Sequence, residues 1–430
     1  MTASLLAFAA LFALCFLGLP LGLGMIAVGA VGLAAVRGWD AALYMMTQQV
    51  LDFTMNYGLS VLPMFILMGA LIHRAGLSED LFESARAWFG HFRGGLAQAS
   101  VAACAAFGAV CGSSLATAAT MGKVALPAMK RSGYDDGFAC GSVAAGGTLG
   151  ILIPPSVPLV IYGILTESDI AKLFIAGILP GLSLTALYMS AAWSSVVARP
   201  ALARPAAPAP WSDRVKSLRR IWGVALLFLV VLGGLYQGWF TPTEGAGIGA
   251  AGALAFLLLR SGRRTFAQLR DALIESGFTT CSIMLVGAGA LVFGNFLTIA
   301  GLPNAMIGWI NSLDVPPIGV IIAICAIYLI LGCVFDSLGM MFLTIPVFYP
   351  IVKALGFDLI WFGIIVVVVV ELGLMTPPVG INVFVIKSLA PEVPMWAIFR
   401  GVAPFVVAAL VCLAMMIAFP EIALVLTRYM

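Results

Sequence analysis

Apolar runs of about 17–25 residues, the length that crosses a bilayer as a helix, recur along this chain between short polar, glycine-rich or proline-rich interruptions. Residues 4–18 and 20–36 read as two spans meeting at Pro20, followed by a loop at 37–57 and a span at 58–75. Between 77 and 93, Glu79, Asp80, Glu83, Arg86 and Arg93 alternate with Leu81, Phe82, Trp88, Phe89 and Phe92, which predicts a helix lying in the membrane interface. Residues 94–131 are apolar but interrupted at 112–122, and predict a hairpin that enters and leaves on one side. A span at 134–165 is broken by Gly146-Gly147 and Pro154-Pro155, and a span at 172–197 follows. After an Ala/Pro-rich basic linker at 199–220, the plan recurs. Spans fall at 221–238 and 243–260, then a basic loop at 261–276, a span at 278–301, an interface segment at 303–315 and a hairpin at 316–352. A broken span at 358–390 and a last span at 395–426 complete it.

The recurrence is visible residue by residue. At a shift of 223, Ser114-Leu115 falls on Ser337-Leu338, Pro127 on Pro350, Lys130 on Lys353, Gly133 on Gly356, Asp135 on Asp358, Gly150 on Gly373, and Pro154-Pro155 on Pro377-Pro378. Nearby shifts pair Ala75-Gly76-Leu77 with Ala300-Gly301-Leu302 and Pro180 with Pro404. The chain is thus two weakly similar halves, 1–198 and 221–430, each with a polar break followed by a double-proline break. Five spans and one hairpin per half make an odd count, so the second half is expected upside down relative to the first. With the linker placed in the cytoplasm, sixteen Lys and Arg fall inside and four outside, as the positive-inside rule requires, and both termini fall outside. The expected fold is an all-α polytopic membrane protein of two inverted repeats, with about ten spans and two re-entrant hairpins.

Composition agrees and excludes much else. The chain is 62% hydrophobic and 10% charged, with a mean hydropathy of +1.10, unlike any soluble domain. Its net charge of +3 is spread through loops and does not mark a nucleic-acid binder. All eight cysteines lie in apolar segments without a C-x-x-C and read as packing residues; His73 and His91 alone make no metal site. The N-terminal run has no preceding basic residue and no convincing cleavage site, so it reads as a retained span. No nucleophile–base set, Walker motif or dinucleotide fingerprint points to an enzyme.

The chemistry-bearing residues gather at the breaks. Gly112, Ser113, Ser114, Thr117 and Thr120 mark the first hairpin; Asp336, Ser337 and Thr344 mark the second. Broken helix at membrane depth is tolerated where the backbone is buried in protein or lines a watery cavity. Carbonyls freed there, with hydroxyls and one carboxylate, suit a hard cation such as Na⁺, although hydroxyls can also merely satisfy backbone carbonyls inside a bundle. Asp336 is the sharper clue, because an ionised carboxylate in the membrane must be paired or face water. Pro154-Pro155 and Pro377-Pro378 remove backbone donors and free carbonyls one turn earlier. Thr148, Ser156, Thr376, Gly380 and Asn382 flank them. Glu371, in a valine run, is expected to bind a proton or to pair with Lys123 or another base. Lys123 either attracts an anionic substrate or snorkels to the interface.

On these residues the chain resembles the large membrane subunit of the tripartite ATP-independent periplasmic (TRAP) transporters. The motifs are Gly112-Ser113-Ser114 with Ala116-Thr117, Pro127-Ala128-Met129, Gly133-Tyr134 and Gly150-Ile151-Leu152-Ile153-Pro154-Pro155-Ser156, then Gly339-Met340 and Thr376-Pro377-Pro378-Val379-Gly380-Ile381-Asn382. The similarity covers nearly the whole chain and is most specific over 108–181. It implies Na⁺-coupled import of a carboxylate, such as a C4-dicarboxylate or sialic acid, across the bacterial inner membrane. The implied mechanism is an elevator, a transport domain with both hairpins moving against a scaffold. The implied partners are a small four-helix membrane subunit, expected as a separate chain, and a soluble periplasmic binding protein. Carried over residue by residue, the resemblance places Na⁺ near Gly112, Ser113 and Ser114 and near Asp336, Ser337, Thr376 and Pro377. It places substrate near Thr117, Lys123, Gly150, Pro154, Pro155, Gly380 and Asn382. A self-sufficient organic-anion permease of similar design is the nearest rival reading; a channel is a more distant one, because selective pores usually repeat one ring of like groups.

Overall fold

A computed structural model describes residues 2–205, 208–262, 265–312, 315–333 and 335–429, and within them the chain is helical with no strand. The first half runs α1 (Thr2–Phe16), α2 (Leu21–Arg37), α3 (Trp39–Thr54), α4 (Val61–Arg74), α5 (Leu77–Phe89), α6 (Gly95–Cys111), α7 (Ser114–Arg131), α8 (Asp136–Leu152), α9 (Val157–Thr166) and α10 (Ile170–Ala198). A connecting helix α11 (Trp211–Arg220) leads to α12 (Trp222–Tyr236), α13 (Pro242–Ser261), α14 (Thr265–Ile299) and α15 (Leu302–Ser312). Then come α16 (Pro317–Gly332), α17 (Ser337–Ala354), α18 (Leu359–Met375), α19 (Ile381–Leu389), α20 (Met395–Ala418) and the short α21 (Glu421–Leu424).

The helix boundaries follow the same 223-residue offset as the sequence: α7 maps onto α17 and α8 onto α18 end to end. The matched residues are the punctuation of these helices. Gly133 and Gly356 both take a left-handed φ (72° and 77°), which only glycine adopts freely. Two residues on, Asp135 accepts from Phe138 N at 2.8 Å, and Asp358 accepts from Ile360 N and Trp361 N at 2.8 and 2.9 Å. Each aspartate caps its helix by satisfying orphan N–H groups.

At both places where a hairpin is expected, two helices pack against each other. Ser100 Oγ meets Met129 Sδ at 3.5 Å across α6 and α7, and Tyr328 Oη meets Thr344 Oγ1 at 2.6 Å across α16 and α17, so each pair of arms lies side by side. Close glycines seat them on the broken helices: Gly108 approaches Gly150, and Gly332 approaches Gly373. α8 packs on α6, α7 and α20, while α14 packs along α2 and α4. Seven helical segments among the described residues, counting α8–α9 as one, are each long and apolar enough to cross a membrane. The α11–α12 pair, bent by 50°, makes an eighth only if the two are taken as one span.

The structure corrects several boundaries. The expected loop at 37–57 is mostly α3; its polar residues Asp40, Thr47, Gln48 and Asp52 lie on a helix, not in a coil. The expected basic loop at 261–276 is largely the first turns of the 35-residue α14. The first hairpin break is confined to Gly112-Ser113, and Gly122 continues α7, where Leu389 and Ile386 side chains crowd it. Gly146-Gly147 does not break α8, because both glycines admit close neighbours (Cys104 and Ala118) within an unbroken helix. The linker is not free: α11 packs on α5, and Arg214 lies over the rings of Trp88 and Trp211. Leu202 O accepts from Asp135 N at 2.9 Å. Arg263 and Arg264, and residues 313–314 of the interface segment, lie outside the described residues.

Candidate functional site

The first break is a glycine stop followed by a serine start. Gly112 (φ 67°) ends α6, its N–H donating to Gly108 O. Ser113 is extended and opens α7, accepting from Ala116 N at 3.4 Å. Thr117 Oγ1 donates to Ser113 O at 2.7 Å. This tip rests on the α8–α9 break. A Cβ on Gly112 would lie 2.9 Å from Pro155 O, and Val157 N donates to Gly112 O at 3.4 Å. A Cβ on Gly150 would lie 2.5 Å from Thr117 Oγ1 and 2.8 Å from Ser113 O, so glycine there lets α8 reach the tip. Ser156, buried at the start of α9, donates to Ile151 O across the cis Pro154-Pro155 pair.

The second break has the same architecture with different chemistry. Asp336 opens α17 and accepts from Leu338 N and Gly339 N at 3.2 and 3.3 Å. Just before it, Cys333 Sγ donates to Pro377 O at 3.1 Å and lies 3.4 Å from Thr376 Oγ1, tying this tip to the α18–α19 break and its cis Pro377-Pro378 pair.

Both tips face one cavity of about 320 Å³. Gly112, Ser113 and Ser114 line it from one side, Asp336, Ser337 and Leu338 from another. Ile66, Phe107, Ile151, Val157 and Ile283 supply apolar wall; His73, Thr120, Lys123, Glu275 and Thr279 supply the remaining polar groups. The oxygen-bearing side chains at the two tips are hydroxyls and one carboxylate, groups that suit a hard cation. The cavity also has room for a small organic molecule.

Of the expected ion-binding residues, Gly112, Ser113, Ser114, Asp336 and Ser337 line this cavity, and Thr376 and Pro377 stand behind the second tip on Cys333. Of the expected substrate-binding residues, only Lys123 lines it. Thr117, Gly150 and Pro155 buttress the first tip from behind, whereas Pro154 is buried beside Gly177 of α10. Gly380 (φ 62°) starts α19 against Phe399, and Asn382 is buried with its Nδ2 donating to Ala144 O at 3.5 Å. Glu371 does not meet Lys123: it is fully buried in α18, and neither of its carboxyl oxygens has a hydrogen-bond partner among the described residues, whereas Lys123 is exposed on α7. Its repeat mate, 223 residues earlier, is Thr148.

Sequence reasoning missed three polar cavity residues, His73, Glu275 and Thr279. His73 Nδ1 lies 3.4 Å from Thr120 Oγ1, and Glu275 reaches the cavity from α14 while binding Arg74 at 2.7 Å. His73 sits near the end of an apolar helix, where an ionisable group needs water or a partner. That signal was available, whereas nothing local marked Glu275. Among the described residues no group of three or more His, Cys, Asp or Glu forms a metal cluster. In the segment between α19 and α20, the Glu392 carboxyl is held below its ordinary range by Lys130 Nζ of α7, 2.8 Å away.

Comparison with known proteins agrees with this architecture. Residues 8–422 match the family model described as "Tripartite ATP-independent periplasmic transporter, DctM component". The chain is 37% identical over 376 residues to the C4-dicarboxylate TRAP transporter large permease protein DctM of Pseudomonas aeruginosa, covering 87% of each chain. It is 34% identical to the ectoine/5-hydroxyectoine TRAP transporter large permease protein UehC of Ruegeria pomeroyi, covering 97% of each. It is 31% identical to the sialic acid TRAP transporter large permease protein SiaM of Vibrio cholerae, covering 96% of each. In fold it is similar to the crystal structure of the Alcanivorax borkumensis YdaH transporter, with a TM-score of 0.67 at 15% identity over 96% of this chain and 97% of that one. The chain, a multi-pass membrane protein and not an enzyme, therefore belongs to the DctM family, the large permease subunits of TRAP transporters.

Proposed function

We propose that this subunit imports an organic acid across the bacterial inner membrane, driven by Na⁺. The observation that carries this reading is the meeting of two unlike hairpin tips at one cavity: Gly112, Ser113 and Ser114 offer neutral oxygens, and Asp336 with Ser337 adds a carboxylate. Two oxygen-rich breaks next to a cavity of about 320 Å³ give ion and substrate adjoining seats, the arrangement symport needs. Lys123 and the starts of α7 and α17 bring positive charge and positive dipole ends toward the same space, which favours a carboxylate. That relatives carry C4-dicarboxylate and sialic acid in their names supports this substrate class.

In the same reading the halves are inverted repeats, both termini are periplasmic, and the hairpins with α8–α9 and α18–α19 move as a transport domain against a scaffold containing α2, α4, α13 and α14. A small four-helix membrane subunit joins the scaffold, and a periplasmic binding protein delivers the substrate. The test is uptake into proteoliposomes holding this chain and that small subunit, with and without an inward Na⁺ gradient and the binding protein. Uptake requiring both supports the reading. Uptake by this chain alone, indifferent to Na⁺, overturns it in favour of a self-sufficient permease.

A further inference from the structure

Far from the hairpin tips, the C-terminal end of α10, the N-terminal part of α20 and the start of α8 enclose a cavity of about 680 Å³. Two arginines from distant parts of the chain enter it: Arg199, directly after α10, and Arg400, in the second turn of α20. Neither has an ion-pair partner among the described residues, unlike Arg74 and Arg260, which are held by Glu275 and Asp80. The carboxylate that shares the cavity, Asp135, is committed to capping α8 through Phe138 N. Trp396, 65% exposed, stands at the rim, and the cavity runs onto an apolar ridge of α20 that includes Val407, 60% exposed.

We propose that this cavity binds the headgroup of an anionic phospholipid, with Arg199 and Arg400 gripping its phosphodiester. Paired guanidinium forks match phosphate oxygens. A basic cleft between helix ends is where a membrane protein meets lipid headgroups, and a rim tryptophan sits at the same level. A free phosphate would use the arginines alone. The exposed ridge beginning at Val407 gives acyl chains a continuous path, so the lipid is the better match. The inference needs only that the chain is embedded in a membrane; it is independent of Na⁺ coupling and of the transported substrate.

The test is native mass spectrometry of the full chain released from detergent after incubation with equal amounts of phosphatidylglycerol and phosphatidylcholine. Wild type is expected to retain phosphatidylglycerol selectively. R199Q/R400Q is expected to lose that retention by at least about fivefold, the scale of one basic residue at a charged membrane surface. Each single variant should be intermediate, and Arg93→Gln, an exposed arginine elsewhere, should behave as wild type. Excess inorganic phosphate should not displace the lipid. Unchanged retention in the single and double variants, an equal loss in Arg93→Gln, or displacement by inorganic phosphate overturns the proposal.

Discussion

Ser113 and Asp336 occupy the same station 223 residues apart: each is the N-cap of its hairpin's second arm, and each faces the shared cavity. The cap role is common to both, whereas the charge belongs to Asp336 alone. The two roles can be separated by substitution.

Asp336→Asn keeps a good N-cap and removes the charge, since asparagine and aspartate cap about equally well. Melting should change little, while the Na⁺ concentration needed for half-maximal uptake should rise about tenfold or more, the scale of losing one charge-assisted contact. Asp336→Ala should add a stability loss of about 1 kcal/mol from the lost cap. Melting curves beside a Na⁺ titration of uptake check both. An Asn variant with wild-type Na⁺ dependence would remove Asp336 from coupling.

Gly332→Ala would set a Cβ 2.9 Å from Gly373 Cα, a backbone contact that no rotamer change relieves. Overpacking of this kind costs about 1–3 kcal/mol, so the melting temperature should fall. Gly308→Ala, where nothing lies within 4 Å, is the control and should hold or raise it.

Arg214 lies 6.0 Å from the Trp88 ring centre and 5.1 Å from that of Trp211, fastening α11 to α5. Arg214→Ala should cost about 1 kcal/mol locally. Hydrogen exchange over 211–220 should accelerate while α8 and α18 stay protected. Equal exchange in both proteins would mean that α11 is held by its other contacts.

The Lys130–Glu392 pair spans from α7 to the segment before α20. Because the Glu392 carboxyl is held below its ordinary value, any stability it adds is present at neutral pH and disappears as pH falls through its folded-state value. Glu392→Gln should therefore melt slightly below wild type at pH 7 and match it in acid. The gap should also shrink with salt, as for any exposed pair.

Much of this was legible in the chain because the repeat preserves local punctuation. Gly133 with Asp135 and Gly356 with Asp358 announce a helix start twice over, and the Gly-Ser-Ser and Asp-Ser breaks announce the tips. Hydropathy reasoning failed at α3 and at the start of α14, where polar residues such as Asp40, Gln48, Arg270 and Asp271 lie on helices. A polar helix beside a membrane and a loop look alike by hydropathy. The cavity wall was less legible for another reason: although His73 stands out near the end of an apolar helix, its meeting with Glu275, Thr120 and Lys123 at one cavity comes from packing of α4 and α14, which no local sequence sign foretells.

The 35 residues of α14 span about 52 Å, well beyond a hydrocarbon core of about 30 Å. At the corresponding place in the first half, α3 and α4 are separate helices with a joint at Met55-Asn56. One half thus has a stiff rod where the other has an elbow. A tilt of an unbroken helix at the Arg270 end of α14 would reappear beside Phe342, which lies against Gly287, whereas in the first half the joint at Met55-Asn56 interrupts such a path. At this station the second half offers one continuous lever and the first offers two shorter ones.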